Sequence, residues 1–168
     1  MNMRYWKAGI LFLVAFLIQS SFLNLFAIAG HTPNLLLCLV IALSFIYEDE
    51  LYGLVYGAIF GLLYDMTMGT LLGPTAICLA VVAILIFIVR EIANIENIIN
   101  LWVVAALSIA VYYVLNWVIL HLLGNPLGIV YMLKELTISA IYSMVVITII
   151  YLILIRRAIK HRRDRYFG

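Results

Sequence analysis

The chain has 168 residues, 67% of them hydrophobic and only 11% charged, where a soluble domain is about half apolar and a quarter charged. This excludes a water-soluble globular fold and leaves no room for a second domain, so residues 1–168 read as one polytopic membrane domain. The net charge of +2 is small, but six of the ten Lys and Arg cluster at Arg156, Arg157, Lys160, Arg162, Arg163 and Arg165, in a basic tail covering 156–168.

Arg4 and Lys7 precede an apolar run from Ala8 to Ala29, long enough to cross a hydrocarbon core of about 30 Å. Ala27-Ile28-Ala29 imitates a leader-peptidase site, but the run exceeds the roughly 7–15 apolar residues of a secretory leader, so it reads as an uncleaved span. Gln19, Ser20 and Ser21 sit late in it and are expected to bond to a neighbouring helix rather than face lipid. Gly30-His31-Thr32-Pro33-Asn34 is the first break. A second span, Leu35 to Tyr47, is short enough that it must thin the bilayer locally or borrow flanking residues. Glu48-Asp49-Glu50 closes it as a solvated turn.

The third span, Leu51 to Asp65, carries Gly53, Gly57 and Gly61, and a further step of four reaches Asp65. Residues four apart share a helix face, so the glycines form a stripe without side chains along which another backbone can approach. Asp65 is the one ionisable residue in a long apolar context, a position that suggests function by default. Gly69, Gly73 and Pro74 break the helix beyond it, with Met66 to Pro74 as a turn or partly re-entrant segment. A fourth span, Thr75 to Val89, ends at Arg90-Glu91. REIANIENIIN then places isoleucines on one side and polar residues on the other, as in a short helix lying on the membrane surface. The fifth span runs from Leu101 to Leu123. After a Gly-Asn-Pro-Leu-Gly break, Lys134-Glu135 opens a sixth that ends at Ile155.

Six spans put both termini on one side. Arg4, Lys7, Arg90 and the six tail residues then share a face, and the positive-inside rule makes that face cytoplasmic. The tail, Arg156, Arg157, Lys160, Arg162 and Arg163 above all, reads as a topology anchor attracted to anionic lipid at about 1 kcal/mol per basic residue. It lacks the aromatic interleaving of a nucleic-acid site.

Catalysis is not expected. A carboxylate pair needs a second acid inside a span, and none is present. GxSxG and HExxH are absent, and the histidines at 31, 121 and 161 lie far apart. Cys38 and Cys78 lie in separate apolar runs and read as small hydrophobes, with no disulfide framework, metal site or cofactor. Gly53, Gly57, Gly61, Asp65, Gly69 and Gly73 are the expected packing or partner-contact residues. Lys134 is the only basic residue on the outer side, and an Asp65–Lys134 ion pair is expected to close that end of the bundle; the alternatives are Asp65 capping the broken turn through the Thr67 or Met68 N–H, Asp65 meeting a partner protein, and Lys134 pairing with Glu135.

Gln19, Pro33-Asn34-Leu35-Leu36-Leu37 and Gly57-x3-Gly61-Leu62-Leu63-x-Asp65-x3-Gly69-x3-Gly73, with six spans in under two hundred residues, together resemble the bacterial rod shape-determining MreD family. The motifs cover about residues 15 to 76. The resemblance implies an all-α integral membrane protein of six transmembrane helices, similar in fold to the substrate-binding subunits of energy-coupling-factor transporters. It further implies a non-enzymatic component of the elongation complex in the cytoplasmic membrane, organising peptidoglycan synthesis. Its partners would be an MreC-like single-span protein, the actin-like filament and the wall synthases. The alternative is a substrate-capturing subunit of a vitamin transporter. The first span lacks the small-xxx-small motif by which such subunits dock, and the outer turns hold few polar groups.

Overall fold

The computed structural model describes residues 5–21, 34–47, 51–69, 71–91, 97–124 and 128–166, and every regular element among them is helical. There are six helices: α1 (Tyr5–Ser21), α2 (Leu35–Ile46), α3 (Leu51–Met68), α4 (Pro74–Arg90), α5 (Ile98–Leu122) and α6 (Ile129–Tyr166). Two stretches, Ile98–Leu122 and Met132–Leu154, are long and apolar enough to cross a membrane unaided. The others are shorter apolar helices.

The shortest helix is the centre of the molecule. Every α2 residue from Leu36 to Ile46 is buried. Among the described residues α2 touches all five other helices, while α1, α3, α4, α5 and α6 follow one another around it in that order. The composition LLLCLVIALSFI suits this place, because a helix apolar on every side is one surrounded on every side. The expectation that α2 thins the bilayer is therefore corrected: a helix walled in by protein meets no lipid, and twelve residues suffice. Aromatic contacts set the ring against this core. Phe12 of α1 stacks on Tyr56 and Phe60 of α3, each with ring centroids 5.7 Å apart, and Phe45 of α2 meets Tyr151 of α6 at 6.5 Å.

Helix ends follow local chemistry. Asn34 caps α2 by accepting from the Leu37 N–H, and Asn97 caps α5 by accepting from Ile99. Gly73, at φ +105°, starts α4 with Pro74 at its first position. Some expected boundaries shift. α3 runs one turn past Asp65. α6 begins at Ile129, so Lys134 lies inside a helix instead of opening it, and α6 continues unbroken to Tyr166. Residues 22–29 of the first expected span, the Glu48–Glu50 turn and residues 92–96 of the REIANIENIIN segment lie outside the described residues.

Candidate functional site

At one end of the bundle α2, α4 and α6 begin while α1, α3 and α5 finish. Helices that start inside a protein expose backbone N–H groups without acceptors, so something at this end has to accept them. The neighbouring helices supply it. Gln19 of α1, 7% exposed, accepts the Leu36 N–H through Oε1 at 3.1 Å. Asn34 Oδ1 accepts from Leu37 at 3.0 Å, and its Nδ2 donates to the buried Tyr112 hydroxyl of α5 at 3.0 Å.

Asp65 does the same for α4. Glycine at the cap has no side chain to accept with, and Pro74 has no N–H, which leaves Gly73, Thr75 and Ala76 as donors. A single carboxylate oxygen, Asp65 Oδ2, accepts all three, at 3.0, 2.9 and 3.4 Å respectively. Asp65 is 4% exposed. The carboxyl group also faces the positive end of the α4 dipole, so its burial is compensated without a cation. The Thr75 side chain in turn meets the Tyr112 phenol. Next to it, Tyr113 and Ser139 of α6 share a hydrogen bond of 2.5 Å. One polar layer thus draws on side chains of α1, α3, α4, α5 and α6 and on the Asn34 cap of α2.

The expected ion pair is corrected. Asp65 lies on α3 and Lys134 on α6; among the described residues these two helices do not touch, because α2 stands between them. The carboxylate turns to the α4 N-terminus and Lys134 is exposed. Charge alone does not bring together residues that the topology separates.

The glycine stripe runs along the seam of α3 with α2 and α4. A Cβ built on Gly53 would fall on the Ser44 hydroxyl, and one on Gly57 would stand 2.9 Å from Val40 Cγ2. On Gly61 it would stand 2.8 Å from the Ala76 Cα, a backbone atom. Gly69 ends α3 by donating to the Asp65 carbonyl, while Gly73 has open space around it and is required by its φ. Arg156, Arg157, Lys160, Arg162 and Arg163 fall on the helical continuation of α6, and their side chains lie outside the described residues. Cys38 and Cys78 are both buried free thiols, and no three His, Cys, Asp or Glu converge among the described residues.

Thr75, Tyr112, Tyr113 and Ser139 were not singled out from the sequence. Tyr-Tyr within an otherwise apolar helix was the available signal, since a buried phenol requires a partner. At the opposite end, an Arg90 guanidinium N–H donates to the Tyr47 carbonyl, tying the end of α4 to the end of α2.

A ring of apolar helices around a buried central one, bound by a single polar layer, defines an all-α membrane protein. The family model described as rod shape-determining protein MreD matches residues 2–158. The chain belongs to that family, which consists of membrane proteins that act in determining rod shape. No curated protein and no solved structure matches the chain.

Proposed function

We propose that this chain is a non-enzymatic scaffold of the bacterial elongation complex. In this reading all six helices cross the cytoplasmic membrane with both termini in the cytoplasm. An MreC-like single-span protein is the direct partner, and through it the chain helps to organise peptidoglycan synthesis by the actin-like filament and the wall synthases. The observation that carries this is family membership over residues 2–158. The site supports a scaffold over a substrate-capturing transporter subunit. A ligand pocket needs polar groups free to converge on a ligand. Here Gln19, Asn34 Oδ1 and Asp65 Oδ2 are committed to this chain's own backbone. What they hold is the mutual position of the helices, which a docking platform requires.

The test is complementation in a rod-shaped host depleted of its own family member, with affinity capture of the host's MreC-like protein in mild detergent. Restored rods and selective retention of that protein over an unrelated single-span control are expected. Round cells together with equal retention of both would defeat the reading.

A further inference from the structure

The polar layer fixes the relative heights of the helices, and they are unequal. Tyr112 stands level with the start of α2 and α4, through Asn34 and Thr75. Ten residues of α5 follow Tyr112 before Leu122, about 15 Å of further helix at 1.5 Å per residue. The Tyr113–Ser139 bond likewise leaves ten residues of α6 between Ile129 and Ser139. At the other end α4, α5 and the apolar part of α6, which ends at Leu154, finish nearly flush, and only the basic part of α6 continues to Tyr166. Antiparallel packing that sets Thr75 against Tyr112 brings Arg90 level with Asn97, the residue that caps α5. The whole step therefore lies at the end where α4 begins.

The projecting part is mostly apolar on its surface. Val118, Leu122, Leu123, Ile129, Val130 and Leu133 are exposed there, beside the exposed polar side chains of His121 and Thr137, and Lys134 is the one cation, with a stem long enough to reach the headgroups. On the α3–α4 side of the molecule the 18 residues of α3 and 17 of α4 measure only about 27 and 25 Å. Their outward apolar residues, Ile59, Leu62, Ile77, Val81, Ile84 and Ile88, lie within that height, and beyond it the α3–α4 turn adds only the exposed Leu72. Arg90, tied to the Tyr47 carbonyl, cannot slide into lipid to lengthen it. A 25-residue α5 measures about 37 Å, more than an average hydrocarbon core of about 30 Å, whereas α3 and α4 fall short of it even when untilted.

We infer that the bilayer around this protein is stepped, and that the α3–α4 face is a binding surface for short or compressed acyl chains while the α5–α6 face takes chains of full length or longer. Tilt deepens the contrast on the short face, because tilting lowers the height a helix covers, and relieves the excess on the long one. A stepped belt orients the protein, and any helix beside it, within a membrane of uneven thickness. The inference rests on the membrane-embedded reading above, and the experiment separates the failure of one from that of the other.

Single-tryptophan variants of the full chain, with Trp6, Trp102 and Trp117 replaced by Phe, are reconstituted in phosphatidylcholine vesicles brominated in the chains. The chains are of about fourteen or about twenty-two carbons, to bracket the two heights. Ile84→Trp reports the short face, with Val81→Trp as a second probe should the first fail to fold. Leu107→Trp and Leu122→Trp report the long face. On the short face quenching should favour the short-chain lipid by about threefold, and on the long face the preference should reverse. Leu122→Trp should be quenched by brominated chains more than by aqueous iodide. The same chain-length optimum on both faces, iodide-accessible Leu122→Trp, or a short face that no brominated lipid reaches would each overturn the stepped belt. Absence of bromine quenching at every position would instead overturn the membrane-embedded reading itself.

Discussion

Asp65 shows how a carboxylate is held inside an apolar bundle without a cation. Its Oδ2 accepts from Gly73, Thr75 and Ala76, so the α4 N-terminus loses its acceptor if the side chain is truncated. Hydrogen bonds to a charged group contribute about 1.5–3 kcal/mol, and loss of a helix cap costs about 0.5–2. Asp65→Ala is expected to cost about 2–3 kcal/mol. Asp65→Asn, which keeps one acceptor oxygen but not the charge, should cost about half that. Lys134→Gln should leave stability within about 0.5 kcal/mol, as exposed substitutions usually do. Melting temperatures in detergent check the order. A Lys134→Gln loss as large as that of Asp65→Ala would revive the ion pair. The Asn34–Tyr112 bond invites a double-mutant cycle with Asn34→Ala and Tyr112→Phe. The expected coupling is about 0.6 kcal/mol, as for hydrogen bonds between helices in membranes, and strict additivity would show the two to be independent. At this scale the sequence marked Asp65 but not its partners. A charge suggests an opposite charge or a cap on the nearest turn at Thr67 or Met68, whereas the donors are the N–H groups of the next helix, which a glycine and a proline leave without acceptors.

Among the helices, the spacing Gly53, Gly57, Gly61 is read as a face of close approach, and a Cβ added at any of the three would meet α2 or α4. Which helix stands there was not legible, since a period of four names a face and not its neighbour. The neighbours are α2 and α4, and they differ in how far they can yield. At Gly57 the obstacle is a methyl of Val40, and at Gly61 it is the backbone of Ala76. Gly61→Ala should therefore cost about 1–3 kcal/mol and Gly57→Ala less, as side chains adjust more readily than backbone. Both substitutions raise helix propensity and apolarity, so insertion should be unaffected. Equal losses at the two sites, measured by thermal unfolding of the inserted protein, would contradict this packing. The extent of α2 shows the opposite limit. Its apolar run was plain in the sequence. That it is enclosed on all sides is a property of the ring, to which each other helix contributes only a strip.

Across the whole molecule, six apolar runs became six helices, and their ends alternate between the two faces of the bundle. The proposed orientation follows from where basic residues fall relative to those ends. Arg4 and Lys7 precede or begin α1, Arg90 ends α4, and the cluster from Arg156 to Arg165 lies beyond the membrane-capable part of α6. Lys7, Arg90 and the far end of α6 belong to the face opposite the polar layer, and among the described residues Lys134 is the one Lys or Arg on the layer's side. Basic residues near span ends resist translocation, so that crowded face should be cytoplasmic. A reporter active only in the cytoplasm should work when fused to either terminus and stay silent when fused near Asn125, between α5 and α6. A reporter that works only outside should show the reverse. Replacing the tail cations by Gln is the sharper experiment. If orientation depends mainly on them, the Asn125 fusion should gain measurable cytoplasmic activity. If Arg4, Lys7 and Arg90 suffice, the pattern should hold while attachment to anionic lipid weakens. Cytoplasmic activity at both Asn125 and the N-terminus of the intact chain, with silence at the C-terminus, would contradict six crossings and place an even number of spans before the α5–α6 turn.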